Sequence, residues 1–306
     1  MMKSVDVLVA GDLFVDLILS GFDRWPEPGA ESFAREFARE VGGGAAITAC
    51  GLAKLGIRTR VFGFAGAADS AWLFERLRQS GVDTSAIRLH DSEPTAISVV
   101  ASSAHDRAFL TYQGANKALP EELRRAAEKG ELACARHVHL AFAPDLDSAA
   151  GLLDSIRGNQ CTISLDVGWH PEWLEDPRVA DLLGRVDLFF PNESEALRIT
   201  GACDADQALE RFDALGAARV GMKMGPRGAA LLCDGQIFRS APPRVHTIDV
   251  TGAGDCFDAG FLYAWLSGRS PRECLEIANL CGALSTEVRG GIAGFPGLER
   301  LAELRP

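Results

Sequence analysis

Short apolar runs rich in β-branched residues alternate along this chain with longer amphipathic stretches. The runs predict strands at Val5–Ala10, Thr59–Phe64, His137–Phe142, Cys161–Asp166, Leu188–Phe190, Arg219–Met224 and Ala229–Cys233. The amphipathic stretches predict helices at Ala45–Leu55, Ala71–Ser80, Glu121–Lys129, Ser148–Arg157, Glu193–Thr200, Asp206–Leu215, Asp255–Leu266 and Arg272–Val288. Gly56, Gly81, Gly130, Gly158, Gly201, Gly216 and Gly268 each follow one of these helices. A left-handed cap is expected there, because glycine has no Cβ to clash. Alternation of this kind predicts a mostly parallel sheet with helices on both faces.

Two segments break the alternation. Leu13–Glu40 holds Pro26, Pro28 and Gly29 and then a polar, aromatic stretch. Pro94–Tyr112 reads as strands Thr95–Ala101 and Arg107–Tyr112, joined by the turn-like Ser102-Ser103-Ala104-His105-Asp106. Neither is a βα unit. Together they suit a small sheet that projects from the main domain as a lid or an interface. The plainer alternative is a decorative edge hairpin. At ~150 residues per domain, 306 residues fit two domains or one large α/β domain. No long linker, low-complexity tract or repeat divides the chain, so the expectation is one domain over 1–306 with a β lid from about 13–40 and 94–112.

Composition narrows the function classes. Hydrophobic residues are 47% and charged residues 24%, which is ordinary globular usage and argues against disorder. The net charge is −11 and no run is rich in Lys or Arg, so nucleic acid is a poor partner. Any phosphate should sit in a local pocket, held by backbone N–H groups and one or two cations. No stretch of 18 apolar residues exists, so no membrane span is expected. Asp6 and Gly11-Asp12 interrupt the N-terminal apolar run, which rules against a signal peptide. The eight cysteines (Cys50, Cys134, Cys161, Cys203, Cys233, Cys256, Cys274 and Cys281) include no CxxC and no zinc spacing with His. They read as reduced, mostly buried thiols of a cytoplasmic protein.

The sharpest feature is Asp249-Val250-Thr251-Gly252-Ala253-Gly254-Asp255, which runs straight into a helix carrying Phe257, Phe261 and Trp265. The small residues Gly252, Ala253 and Gly254 expose backbone N–H groups at a helix N-terminus, where aligned dipoles favour an anion. Asp255 in that first turn has two readings. It is a capping carboxylate worth ~1 kcal/mol. Or it accepts a proton from a hydroxyl while the N–H groups stabilise a transferring phosphoryl group. Asn192 with Glu195 three residues on is also double-edged: a capping box, or oxygens for a cation. There is no GxxxxGK[ST] loop, no GxSxG, no HExxH and no GxGxxG after the first strand.

The 249–261 stretch resembles the C-terminal signature of the ribokinase-like (PfkB) family of carbohydrate kinases. Other segments resemble that family in order and spacing: Gly11-Asp12-Leu13-Phe14-Val15-Asp16, Gly42-Gly43 before a helix, Gly114-Ala115-Asn116, Asn192-Glu193-Ser194-Glu195, Lys223-Met224-Gly225-Pro226-Arg227-Gly228, and Asn279 with its neighbours. The resemblance implies a three-layer α/β/α sandwich with a mostly parallel central sheet and a small β-sheet lid. It implies that Asp255 is the catalytic base and that Gly252, Ala253 and Gly254 form the anion hole. Asp16 would bind substrate hydroxyls, with Asp12, Gly42, Gly43 and Asn116 nearby. Asn192, Glu195, Lys223, Gly225, Gly228, Thr251 and Asn279 would serve ATP and Mg²⁺. K⁺ would bind beside the anion hole at Asp249 and Thr251, with the loop of Arg289 and Gly291.

The chain departs from the family's pattern where the sugar binds. An Asn expected four residues after the second Gly is Ile47. An Asn expected two before the substrate Asp is Phe14. A Glu expected after the central strand falls in Ala141-Phe142-Ala143-Pro144. A site that lost several polar partners rejects its old substrate, so ribose is a poor expectation. Phe14, Ile47 and Phe142 would shape a more apolar pocket, suited to a nucleoside or a deoxy or modified sugar; an acid sugar held elsewhere is a further option. The reading is thus an ATP- and Mg²⁺-dependent kinase acting on a primary hydroxyl of a sugar or sugar-like molecule, as a homodimer through the lid. A nucleoside kinase on the same fold is the alternative, and a non-catalytic sugar- or nucleotide-binding protein the distant one.

Overall fold

The computed structural model describes residues 3–25, 27–102 and 107–304. Its strands are β1 Val5–Gly11, β2 Phe14–Ser20, β3 Glu36–Gly42, β4 Thr59–Gly66, β5 Asp83–His90, β6 Ala96–Ser102, β7 Arg107–Tyr112, β8 Ala135–Ala141, β9 Thr162–Asp166, β10 Leu188–Phe189, β11 Arg219–Lys223, β12 Ala229–Cys233 and β13 Gln236–Ser240. Its helices are α1 Gly44–Lys54, α2 Ala71–Gln79, α3 Leu119–Glu128, α4 Leu146–Gly158, α5 Pro171–Leu174, α6 Val179–Leu183, α7 Glu193–Thr200, α8 Ala205–Ala214, α9 Ala253–Leu266, α10 Pro271–Ser285 and α11 Leu298–Leu304.

Nine strands form one sheet of order β13-β12-β11-β10-β9-β8-β1-β4-β5. From β11 to β5 the pairs are parallel, and β12 and β13 extend the edge antiparallel. On β1, Leu8 and Ala10 pack in one core while Val7 and Val9 pack in the other. A strand covered on both faces needs apolar residues at successive positions, which is why its run is continuous. Helices α3 to α8 cover one face; α1, α2, α9, α10 and α11 cover the other. This is the three-layer arrangement expected from the alternation.

The differences have local causes. Strand β5 lies at the sheet edge and mixes polar and apolar residues, so no apolar run marks it. Strand β13 follows a two-residue turn, Asp234-Gly235, in which both residues have positive φ. That turn is a hairpin signal in its own right. Gly158 does not cap α4 but ends it, and Gln160 takes the left-handed φ of 57°. Helix α10 stops at Ser285 rather than Val288, with Thr286 as its C-cap. The cysteines are free, and six of the eight are buried.

The segments that broke the alternation pair with each other. Strands β3-β2-β6-β7 make a separate four-stranded sheet, with β2 antiparallel to β3 and parallel to β6. Residues 103–106 of the expected turn, and Pro26, lie outside the described residues. Register places Glu40, Asp16, Ser98 and Thr111 opposite one another across the four strands, so they share one face. Arg39 on the other face stacks over the Trp72 ring of α2, 4.2 Å from its centroid, which ties this sheet to the body.

Candidate active site

Parallel strands deliver their side chains to the site at their C-terminal ends. Gly11 closes β1, Asp166 closes β9, Asn192 follows β10, and Lys223 closes β11. A doubly wound sheet forms its ligand crevice along this edge.

Asp255 is the third residue of α9, whose N-cap is Gly252 with φ 72°. A Cβ on Gly252 would lie 2.8 Å from the Gly291 Cα, so only glycine fits that turn. The two loops are bound together by Asp249. Its carboxylate accepts from Thr251 N–H at 2.9 Å and from Gly290 N–H at 3.1 Å. Asp249 therefore fixes the turn against the 289–291 loop. The Cys256 thiol adds a contact to the Gly291 carbonyl at 3.2 Å.

A second helix end converges here. Helix α1 starts at Gly44, and a Cβ on Gly44 would sit 2.9 Å from Asp255 Oδ1. The Thr48 hydroxyl donates to the Asp255 carbonyl at 3.3 Å and clamps α1 to α9. The Asp255 carboxyl therefore lies where two N-termini meet, a place that favours negative charge. Burial nonetheless pushes its pKa up to about 7, with Asp166 and Asp16 adding to the rise and Lys223 opposing it. A carboxyl that titrates near neutrality suits general-base work.

The glycines before α1 are explained by carboxylates and backbone. A Cβ on Gly42 would fall 2.1 Å from Asp16 Oδ1, and one on Gly43 would fall 2.2 Å from the Asp12 carbonyl. Asp16 is buried on an interior strand of the small sheet, not on an edge. Burial, then Asp249 and Glu40, raise its pKa to about 6; burial raises Asp12 to about 6 as well. Gly42, Gly44, Asp16 and Asp255 thus come together in one cleft, with Gly43 against the Asp12 carbonyl.

Asn116 is placed otherwise. Its Oδ1 accepts from Leu13 N–H at 3.3 Å and its Nδ2 donates to the Leu13 carbonyl at 3.1 Å. It braces the turn between β1 and β2 that carries Asp12 and leads to Asp16. Ile47 lies against the loops, since a Cβ on Gly291 would meet its Cδ1 at 2.6 Å. Phe142 packs in the core under α3 and α4 rather than in the cleft. Of the three residues expected to make the pocket apolar, Phe14 stays half-buried beside Gly43.

Asn192 and Glu195 form a complete capping box on α7. Asn192 Oδ1 accepts from Glu195 N–H at 2.9 Å, and Glu195 Oε2 accepts from Asn192 N–H at 2.8 Å. Asn192 Nδ2 also donates to Glu195 Oε1 at 2.6 Å. Each carboxylate oxygen keeps a free lone pair, which suits a cation reached through water. Lys223 is largely buried at the end of β11. Its Nζ lies 2.7 Å from Asp166 and 3.3 Å from Asp258, and Asp258 is fully buried. Gly228 has φ 88°, and a Cβ on it would fall 2.1 Å from the Ser240 carbonyl; Asn279 Nδ2 donates to the same carbonyl at 2.8 Å. Gly228 and Asn279 are thereby brought together, while Gly225 faces open space. Arg289 points its guanidinium at Glu36 of β3.

Asp166, Asp258, Gly44 and Thr48 are the site residues that sequence reasoning missed. Signals existed: Asp258 is one helical turn after Asp255, and Asp166 ends a parallel strand. Among the described residues, no group of three or more His, Cys, Asp or Glu has metal-holding geometry.

The model of the pfkB family carbohydrate kinases matches residues 5–297. The chain belongs to that family. Its relatives include a 2-dehydro-3-deoxygluconokinase of Bacillus subtilis, 28% identical over 282 residues, covering 87% of this kinase and 86% of the relative. An ATP-dependent ribose-1-phosphate kinase of Halopiger xanaduensis is 31% identical over 301 residues and covers 97% of both. Arabidopsis thaliana ribokinase, complexed with ribose and ATP, has TM-score 0.85 and 27% identity over 98% of each chain. An E. coli protein assigned as a ribokinase II, in complex with ATP and Mg²⁺, has TM-score 0.84 and 23% identity over 98% of each chain, a likeness of fold. The kinase has the ribokinase fold, and its family is one of ATP-dependent carbohydrate kinases.

Proposed function

We propose that this kinase transfers the γ-phosphoryl group of ATP to a primary hydroxyl of a neutral sugar or sugar-like molecule. The observation that carries the proposal is the Asp255 carboxyl, set between the N-termini of α1 and α9 beside the 252–254 turn. Asp255 takes the hydroxyl proton as the oxygen attacks the γ-phosphorus. The bond from that phosphorus to the bridging oxygen breaks, and ADP leaves with the electron pair. The N–H groups of the turn stabilise charge on the moving group. Asp16 orients the acceptor's hydroxyls, with Gly42 and Gly43 lining the cleft. Two acidic groups, Asp16 and Asp255, favour an uncharged acceptor over an anionic one.

Asn192 and Glu195 would hold Mg²⁺ through water; the ion, when bound, neutralises charge on the phosphates. Mg²⁺ keeps several waters and takes few protein oxygens, so two side chains are enough to place it. Asp249, Thr251 and carbonyls of 289–291 would hold K⁺. The small sheet acts as the lid that keeps water from the phosphoryl group. Its outward face carries Phe37, Leu110 and Tyr112, with Phe37 65% and Leu110 72% exposed. A second copy covers that face in a homodimer. Light scattering tests it: Leu110→Lys should yield monomers, and a wild-type monomer would refute the dimer.

The test of function is ADP release with ATP and Mg²⁺ across ketoses, aldoses, sugar acids, phosphosugars and nucleosides, with Asp255→Asn alongside. Turnover of one neutral sugar that vanishes in the variant is expected. Turnover of an anionic sugar alone refutes the charge argument. A nucleoside as the sole acceptor establishes the second reading, which Phe14 beside Gly43 favours as a surface for a base. No turnover and no thermal shift with ATP would leave a binding protein.

A further inference from the structure

Behind the 252–255 turn lies a buried charge cluster that the reaction above does not use. Lys223 Nζ stands 2.7 Å from Asp166 Oδ2 and 3.3 and 3.5 Å from the two oxygens of Asp258. The three residues belong to three elements: the end of β9, the end of β11 and the second turn of α9. Asp258 follows Asp255 by three residues and so shares its face of the helix. The lysine stem runs directly under the anion-hole turn. A Cβ on Gly254 would meet Lys223 Nζ at 3.5 Å and its Cδ at 3.7 Å. One ammonium therefore ties two strand ends to the turn that carries the base.

The charges in this cluster can be assigned. Burial works against the Lys223 ammonium, but Asp166 and Asp258 outweigh it and hold the lysine above its ordinary value. Burial pushes Asp258 well above the carboxylate range, and it shares its proton with Asp166. Burial also acts to raise Asp166, but Lys223 and Asp258 prevail and keep it ionised. The groups facing Asp255 are Asp166 from β9, Lys223 from β11, Asp16 from β2 and Asp258 from its own helix, with the buried Cys256 thiol neutral beside it. Lys223 is the cation of this set.

We infer that Lys223 is a positioning residue for Asp255: its ammonium, held 2.7 Å from Asp166 directly under the anion-hole turn, cancels the carboxylate behind that turn and so favours the charged form of Asp255. The inference deepens the phosphotransfer reading and rests on it for the purpose of Asp255, but its test does not need turnover. Removing the ammonium leaves Asp166 unbalanced behind Asp255 and makes a second negative charge harder to place.

The experiment is a pH titration by NMR of protein labelled with ¹³C at aspartate carboxyls, with the Asp255 signal assigned by its loss in Asp255→Asn. The wild-type midpoint is expected at about 7. In Lys223→Met it should rise by about one pH unit, and Lys223→Arg should restore it. Where turnover is measured, kcat/KM of Lys223→Met should fall about fivefold at pH 7 and recover by pH 9. A lysine that merely held the fold would lower the rate equally at every pH. Should Lys223→Met not fold, the double variant Asp166→Asn, Asp258→Asn leaves the ammonium facing Asp255 and should move the midpoint down. An Asp255 midpoint unmoved in whichever variant folds overturns the inference. Absence of turnover on every acceptor would instead count against the kinase reading, and the titration would still decide this one.

Discussion

A single methyl group at residue 42 separates acceptor binding from chemistry. In Gly42→Ala the new carbon would lie 2.1 Å from Asp16 Oδ1, 2.3 Å from its Cγ and 2.4 Å from Oδ2. Carbon and oxygen do not approach that closely, so the carboxyl must move by at least about 1 Å. Gly42 is absent from the glycines of positive φ, so the backbone itself accepts alanine. The cost falls on Asp16. Losing one hydrogen bond from a charged group to a substrate hydroxyl costs about 1.5–3 kcal/mol, or 10- to 100-fold in kcat/KM. The loss should appear as a raised KM for the acceptor, with the KM for ATP unchanged. Gly44→Ala is the control. Its methyl would meet Asp255 Oδ1 at 2.9 Å, so kcat should fall while the acceptor KM holds. The assay is steady-state ADP release with acceptor and ATP varied separately, beside a thermal melt. A Gly42→Ala enzyme with the wild-type acceptor KM, or with a raised KM for ATP alone, would refute the placement of Asp16.

Three further outcomes are expected. Burial raises Asp255 to about 7, and a base must be ionised to work, so kcat/KM should fall as pH drops through about 7; a flat profile from pH 8 to pH 5 would remove Asp255 as the titrating base. Asn116→Ala orphans the buried N–H and carbonyl of Leu13, which should cost about 1–3 kcal/mol and a few degrees of Tm with kcat retained. A changed acceptor KM at unchanged Tm would instead put Asn116 in contact with substrate. Replacing Na⁺ by K⁺ should raise the rate through Asp249 and the 289–291 carbonyls, and Asp249→Asn should abolish the difference; an unchanged rate on K⁺ titration refutes the cation site.

The parallel sheet was legible because strands covered on both faces must be apolar at every position, as Val7, Leu8, Val9 and Ala10 are. Edge strands escape that demand. Strand β5 and hairpin strand β13 need one covered face or none, so their composition carries little signal. From its own residues the 249–255 turn left two readings of Asp255 open, a cap or a base, and the resemblance of the whole chain to a kinase family chose between them. Asp166 was not, because its partner lies 57 residues away in Lys223 and pairing over such a distance leaves no local pattern. The bracing role of Asn116 was hidden for the same reason. Sequence marks it as a polar residue near the cleft, and only the fold shows both its polar atoms bound to Leu13.

The distribution of these residues explains why the reaction class is readable and the acceptor is not. The groups proposed for phosphoryl transfer sit on closely packed backbone. Gly252 abuts Gly291, Gly44 abuts Asp255, and Lys223 is clamped by two carboxylates, so a substitution at any of them disturbs several elements together. Few sequences satisfy those constraints, and the motif is correspondingly narrow. The face proposed to meet the acceptor is built differently. Asp16, Ser98 and Thr111 stand in register on three strands of the small sheet, with Ser98 and Thr111 hydroxyls 3.2 Å apart. Side chains on such a face can change one at a time without moving the backbone. On the proposed function, Asp16, buried against Gly42, is the constrained member of that row, and Ser98 and Thr111 are the ones the fold leaves free to vary with the acceptor.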